Sequence, residues 1–390
     1  MDQFEKLLNK NLTIQHLNLW GKSIGDRGAR TLAENLKINT TLTKLNLAKN
    51  KITQQGTQAL SEVLKINTTL TTLSLHNNQI GDQGAKYLAE ALKINNTLTI
   101  LNVGYSKIGD QGAKVLADAL KINTTLLKIS LFGNLINVQG SQAFAEALKV
   151  NTILAEIDLQ FNRIGDQGTY ALAEALKINT SLTILNLYDC QIGDHGAQVL
   201  AEVLKINTTL TTLNLEKNYI SDQGTHALAE ALKINTTLII LQLYGCLIGD
   251  RGVQALADTL KINTCLTTLN LGCNQISDQG AYALANTLKI NTVLSVLELG
   301  QNQISDLGAQ TLEEALNINT TLIKLGLWNN QHIEEYIVMM ICQRLEINFV
   351  NKQRLRCLQI LCFEKLKKLN RINEIKSLNP IIYDSCLMKY

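Results

Sequence analysis

Apolar residues recur along this chain with a period of 28. Glycine stands at every multiple of 28 from Gly28 to Gly308, eleven times without drift, the self-similarity that marks a stacked repeat. Each unit carries an apolar triad spaced LxxLxL, as in Leu42, Leu45, Leu47 and in Leu210, Leu213, Leu215, whose alternating end predicts a short strand. Three residues on stands asparagine in eight of twelve units (Asn50, Asn78, Asn134 and others) and cysteine in two (Cys190, Cys246). A buried amide there donates to and accepts from backbone groups left open at a bend, with a thiol as the smaller substitute. Isoleucine follows two positions later, from Ile24 to Ile304. Then comes an aspartate such as Asp26 or Asp82 in nine of eleven units, expected to cap the helix of its own unit. The glycine just inside is expected to let that helix approach the sheet. Leu32, Leu36 and Ile38 with their equivalents predict the apolar stripe, so the unit reads strand, turn, helix.

The pattern LxxLxLxx(N/C)xI followed by xDxGxxxLxxxL at 28 residues resembles the ribonuclease-inhibitor type of leucine-rich repeat, which also builds the sensor arrays of NOD-like receptors and Ran GTPase-activating proteins. The resemblance covers about nine tenths of the chain. It implies an α/β leucine-rich-repeat solenoid, a horseshoe with parallel strands on the concave face and helices on the convex face, working by protein binding.

Register places a half-repeat helix, an N-terminal cap, over 1–13, since Phe4, Leu8 and Asn11 match Leu32, Leu36 and Asn39. About twelve repeats of 28 residues then occupy 14–348, with a one-residue insertion at His332. Beyond them, over 349–390, Leu355, Leu358, Leu361, Leu366 and Leu369 predict a basic amphipathic helix, read foremost as a C-terminal cap and alternatively as a contact for acidic lipid or a calmodulin-like groove.

Composition narrows the partners. With 36 basic and 33 acidic residues the chain is only +3, too little to attract nucleic acid as a whole. A lysine row near the helix C-termini (Lys37, Lys65, Lys93, Lys121) has an acidic residue three positions earlier in nearly every unit, as in Glu34 and Glu62, so nucleic-acid binding by that row is rejected. No basic-then-apolar leader opens the chain, and no apolar run approaches the roughly 18 residues of a membrane span. A soluble, cytoplasmic protein is expected. Eight scattered cysteines read as thiols, and sequons such as Asn67-Thr68-Thr69 fall at one repeat position and read as structural.

Nothing reads as a catalytic centre or as a site for a metal or cofactor. The five histidines lack metal-ligand spacing, and the glycines form no phosphate cradle or nucleophile elbow. Specificity is therefore sought where units differ. Directly after the triad, odd units carry Trp20, His76, Phe132, Tyr188 and Tyr244 and even units mostly small or polar residues including Gln160, a further 56-residue period that Trp328 joins at the far end. Tyr105 and Phe161 sit one residue later. These rings, with Glu156, Asp158, Asp189 and Glu216, are the expected partner-binding residues, the rings as anchors and the carboxylates selecting a protein with a basic patch. Lys44 and Lys49 lie early on the same face. The alternatives carried are a sensor or inhibitor array and a regulator of a small GTPase, for which Arg163 on the sixth unit's loop is the residue of interest.

Overall fold

A computed structural model describes residues 14–331 and 333–351. The predicted cap over 1–13, His332 and all of the predicted C-terminal helix beyond Asn351 lie outside the described residues. The chain clusters into two units, one comprising 1–192 with 206–210, the other 193–205 with 211–390.

In the first unit strands β1 (His16–Asn18), β2 (Lys44–Asn46), β3 (Thr72–Ser74), β4 (Ile100–Asn102), β5 (Lys128–Ser130), β6 (Glu156–Asp158) and β7 (Ile184–Asn186) pair in parallel, each in register with the residue 28 positions on, as Leu17 with Leu45 and Ile157 with Leu185. Helices α1 (Gly25–Leu36), α2 (Gln54–Leu64), α3 (Gly81–Leu92), α4 (Asp110–Leu120), α5 (Val138–Leu148) and α6 (Gly165–Leu176) alternate with them. The second unit repeats the scheme with α7 (Asp194–Leu204), β8 (Thr212–Asn214), α8 (Asp222–Leu232), β9 (Ile240–Gln242), α9 (Asp250–Leu260), β10 (Thr268–Asn270), α10 (Asp278–Leu288), β11 (Val296–Glu298), α11 (Asp306–Leu316), β12 (Lys324–Gly326) and α12 (Glu335–Asn351). The chain is an α/β solenoid whose core is the row of triad leucines facing a helix stripe of leucine, alanine and glycine.

Small residues dominate that stripe because neighbouring helices touch. In α4 the buried residues are Gly112, Ala113, Leu116, Ala117, Ala119 and Leu120. A β-carbon at Gly56 would fall 2.6 Å from the Asp26 carboxylate, 2.8 Å from Ile52 of its own turn and 3.0 Å from Ala29 of the preceding helix, so this glycine also makes room for the preceding helix and its aspartate. Ile38 and its equivalents are a correction. The helix ends at Leu36 and the chain turns at Lys37, which carries Ile38 out of the stripe to 77% exposure.

The aspartates also act differently from expectation, capping the next unit's helix instead of their own. Asp26 Oδ1 accepts from Thr53 N (2.7 Å) and Gly56 N (3.0 Å) at the start of α2. Asp82, Asp110, Asp194, Asp222, Asp250 and Asp278 make the same pair of bonds one repeat ahead. An aspartate inside the first turn has its own helix amides behind it, whereas the following helix presents its open amides to it directly.

At the other helix end a buried asparagine of the following unit closes the last carbonyl. Asn67, Asn95, Asn123, Asn151, Asn179 and Asn207 donate to Leu36, Leu64, Leu92, Leu120, Leu148 and Leu176. These include the sequon asparagines Asn67 and Asn207, whose amides are thus occupied in the folded chain.

Two units lack the aspartate, Gln54 and Val138 standing in its place, and the helices that follow them begin differently. Gly81 and Gly165 adopt φ of +62° and +60°, and neither α3 nor α6 has a side-chain cap. Where aspartate precedes, as at Gly109 and Gly249, the equivalent residue is extended and capped. Val138→Asp is therefore expected to draw the Gly165 and Gly168 amides from the Cys190 and Ile164 carbonyls to a carboxylate, as in the aspartate-bearing repeats, and to stabilise the protein by at most about 1 kcal/mol. The check is urea unfolding; an unchanged midpoint with unchanged slope refutes the capping account.

Candidate functional site

At the strand ends an asparagine or aspartate folds the chain over. Asn18, Asn46, Asn102, Asp158 and Asn186 accept from the backbone amide two residues on, in Trp20, Ala48, Gly104, Gln160 and Tyr188. The next residue then takes a left-handed conformation: Lys49, Asn77, Tyr105, Gly133, Phe161 and Asp189 all have φ between +46° and +65°. Sequence reasoning missed this requirement. Gly21, Gly133 and Gly245, spaced by 112 at that one position, are the signal that reveals it.

Five of the expected residues come together on the first unit as one ridge of rings. His76 and Phe132 have centroids 5.9 Å apart, Phe132 meets Tyr105 edge-on at 5.1 Å, Tyr105 lies 6.3 Å from Phe161, and Phe161 lies 4.9 Å from Tyr188. Glycines of adjoining units make room. A β-carbon at Gly104 would fall 2.2 Å from the Phe132 ring, and one at Gly133 would fall 2.3 Å from the Tyr105 ring. His76, Phe132 and Tyr188 are half-buried in these contacts, whereas Tyr105 and Phe161 stay exposed at 47% and 40%. Burial holds the His76 imidazole below its ordinary pKa, which favours the neutral ring near pH 7. Gln160, half-buried, occupies the loop beside Phe161.

The remaining rings stand apart from this ridge. Trp20 is exposed with the Lys49 ammonium 4.9 Å above it. In the second unit Tyr244 lies beneath the Lys217 ammonium at 5.0 Å and its hydroxyl bonds Gln301, while Trp328 covers Gly300. The carboxylates are mostly engaged: Glu156 pairs with Lys128 at 2.6 Å, and Asp158, buried, accepts from the Ser130 hydroxyl at 2.8 Å. Glu216 in the second unit accepts from Asn270 at 2.6 Å, and burial raises its pKa. Asp189 is the one of the four that stands exposed. Arg163 is exposed beside Phe161, its backbone amide donating to the Ile136 carbonyl.

The thiols at the asparagine position donate to carbonyls of the preceding unit, Cys190 to Leu159 at 3.2 Å and Cys246 to Leu215 at 3.4 Å. Burial pushes both up to about 12, far from the range of a nucleophilic cysteine. Among the described residues no group of three or more His, Cys, Asp or Glu is placed to hold a metal ion, and no helix is long and apolar enough to cross a membrane.

A family model described as Leucine Rich repeat matches residues 39–61, 67–89, 95–117, 235–257, 263–285 and 291–312, and one described as TMOD/LMOD Leucine-rich domain matches 161–245. The chain belongs to the leucine-rich-repeat family. Solved structures similar to it include Leiomodin-1 Actin-Binding Site 2, at 23% identity over 46% of this chain and 95% of that one with a TM-score of 0.37. Another is an internalin from Listeria monocytogenes, at 21% identity over 83% of this chain and 92% of that one with a TM-score of 0.45. No curated protein matches this leucine-rich-repeat chain.

Proposed function

We propose that this leucine-rich-repeat protein is a non-catalytic interaction module that binds a protein partner through the ring ridge of its first unit, with Tyr105 and Phe161 as anchors. The observation that carries this reading is the pairing of exposure with backbone strain. Non-glycine residues in the left-handed region cost about 1 kcal/mol each, and the other repeats place glycine, asparagine, aspartate, lysine, cysteine or glutamine there, never another ring. Two rings that pay that cost and still face solvent are suited to burying large area against a partner with little loss of side-chain freedom. Asp189 at the end of the ridge supplies charge selection toward a basic patch. The 28-residue period supports the ribonuclease-inhibitor subtype. The hydrogen-bonded thiols and occupied sequon asparagines support a cytoplasmic location.

The test uses glycine, because it relieves the strain while deleting the ring. Tyr105→Gly/Phe161→Gly is expected to leave the thermal midpoint within a few degrees of the parent and to weaken the partner by roughly a hundredfold or more, as the loss of two hot-spot rings implies. Affinity capture from native lysate, with both proteins side by side and bound chains identified by mass spectrometry, reads the difference. Identical captured sets with the folded variant refute the ridge as the site.

A further inference from the structure

Ten of the twenty lysines in the described residues pair with a carboxylate, in one of two repeating arrangements. Eight helix lysines, from Lys37 to Lys261, pair with an acidic residue three positions earlier. On the strands Lys128 and Lys324 pair with Glu156 and Glu298 of adjoining strands, each at 2.6 Å. Lys44 occupies the same strand position but lies in register between His16 and Thr72, with no carboxylate on either side.

The omission extends over the whole strand-and-loop surface of the early repeats. Segments 14–24, 42–53, 70–81, 98–109 and 126–137 contain no aspartate or glutamate, while Lys22, Lys44, Lys49, Lys51 and Lys107 lie within the first four of them. None of these five lysines forms an ion pair among the described residues, and Lys49 turns instead to the ring of Trp20, itself 51% exposed. We propose that the part of this face on the first two repeats, where Lys22, Lys44, Lys49 and Lys51 stand apart from the ring ridge, docks an acidic polypeptide segment of a partner protein, whose carboxylates take beside Lys44 the place that Glu156 takes beside Lys128.

Charge complementarity identifies the occupant. The positive groups are all lysines, compact point charges of the kind that Lys128 sets against the Glu156 carboxylate at 2.6 Å on the same sheet. Trp20 provides an apolar anchor beside the charges, with the Lys49 ammonium over its ring. Single exposed ion pairs contribute little, but several like charges on one surface steer association and make it salt-dependent.

Fluorescence anisotropy with the full chain tests this, using a labelled deca-glutamate peptide at low ionic strength beside single-stranded DNA of matched charge. The proposal expects the peptide to bind, to be displaced by salt, and to bind at least about tenfold more weakly to Lys22→Glu/Lys44→Glu. The control Lys37→Glu, on a helix, and Tyr105→Gly/Phe161→Gly are expected to bind it as the parent does. Absence of peptide binding, equal loss in Lys37→Glu, loss in the ridge variant, or tighter binding of the DNA each overturns it. Because the ridge variant is in the set, failure here leaves the ridge reading separately testable.

Discussion

Asn134→Ala is expected to destabilise the first unit by about 3–5 kcal/mol, the largest effect of any single polar substitution considered. The Asn134 amide donates to the Val103 carbonyl (3.0 Å) and the Leu131 carbonyl (2.8 Å), and its oxygen accepts from the Ser106 and Ile108 amides (both 3.0 Å). The site is 6% exposed, so alanine strands four backbone groups, each costing about 1–3 kcal/mol when left unmet, with partial relief from water. Asn134→Cys is expected to lose less, since Cys190 and Cys246 hold equivalent positions with sulfur-to-carbonyl bonds to the preceding repeat. Chemical denaturation of the three proteins checks the ordering. An alanine variant within about 1 kcal/mol of the parent refutes the asparagine ladder as a structural element.

Phe144→Ala ranks second, at about 3–5 kcal/mol, through the cavity it opens. Phe144 is fully buried in α5 at the position that Leu32, Leu60, Leu88, Leu116 and Leu172 fill in other helices. Phe144→Leu is accordingly expected to cost under about 1.5 kcal/mol, because the neighbouring units already accommodate leucine at their own copies of the site. In a solenoid the damage spreads through nearest neighbours, so hydrogen exchange should accelerate first in α4, α5 and α6. Uniform acceleration across the first unit would contradict that local picture.

Packing explains why the fold was legible from spacing. Triad leucines and helix leucines are repeated by the demand that each unit bury the same face, so period and alternation reveal strand, turn and helix. The capping was not legible, because Asp26 acts 27 and 30 residues away, on Thr53 and Gly56, and local sequence only shows a good capping residue near a helix start. Ile38 was misplaced for a related reason: its spacing fits the stripe, but the turn at Lys37 decides its direction. At the candidate site the alternation of rings and small residues was visible, yet not its cause, which is Phe132 lying over Gly104. That Tyr105 and Phe161 remain exposed depends on a left-handed backbone, and that Glu156 is neutralised depends on Lys128 one strand away.

The capping in trans has a consequence for how such a chain changes length. All but two of the blocks, those with Gln54 and Val138, contribute an acid to the joint ahead, and the block's chemistry is complete only between neighbours. Loss or gain of blocks in pairs keeps both the aspartate joints and the alternation that sets Phe132 over Gly104. Even the one-residue offset before α12 keeps the joint, with Asp306 accepting from the Glu334 amide at 2.6 Å after a step of 28 instead of 27. Array length is thereby free to vary under selection for reach, while the joints, rather than the blocks, are what heredity must copy faithfully.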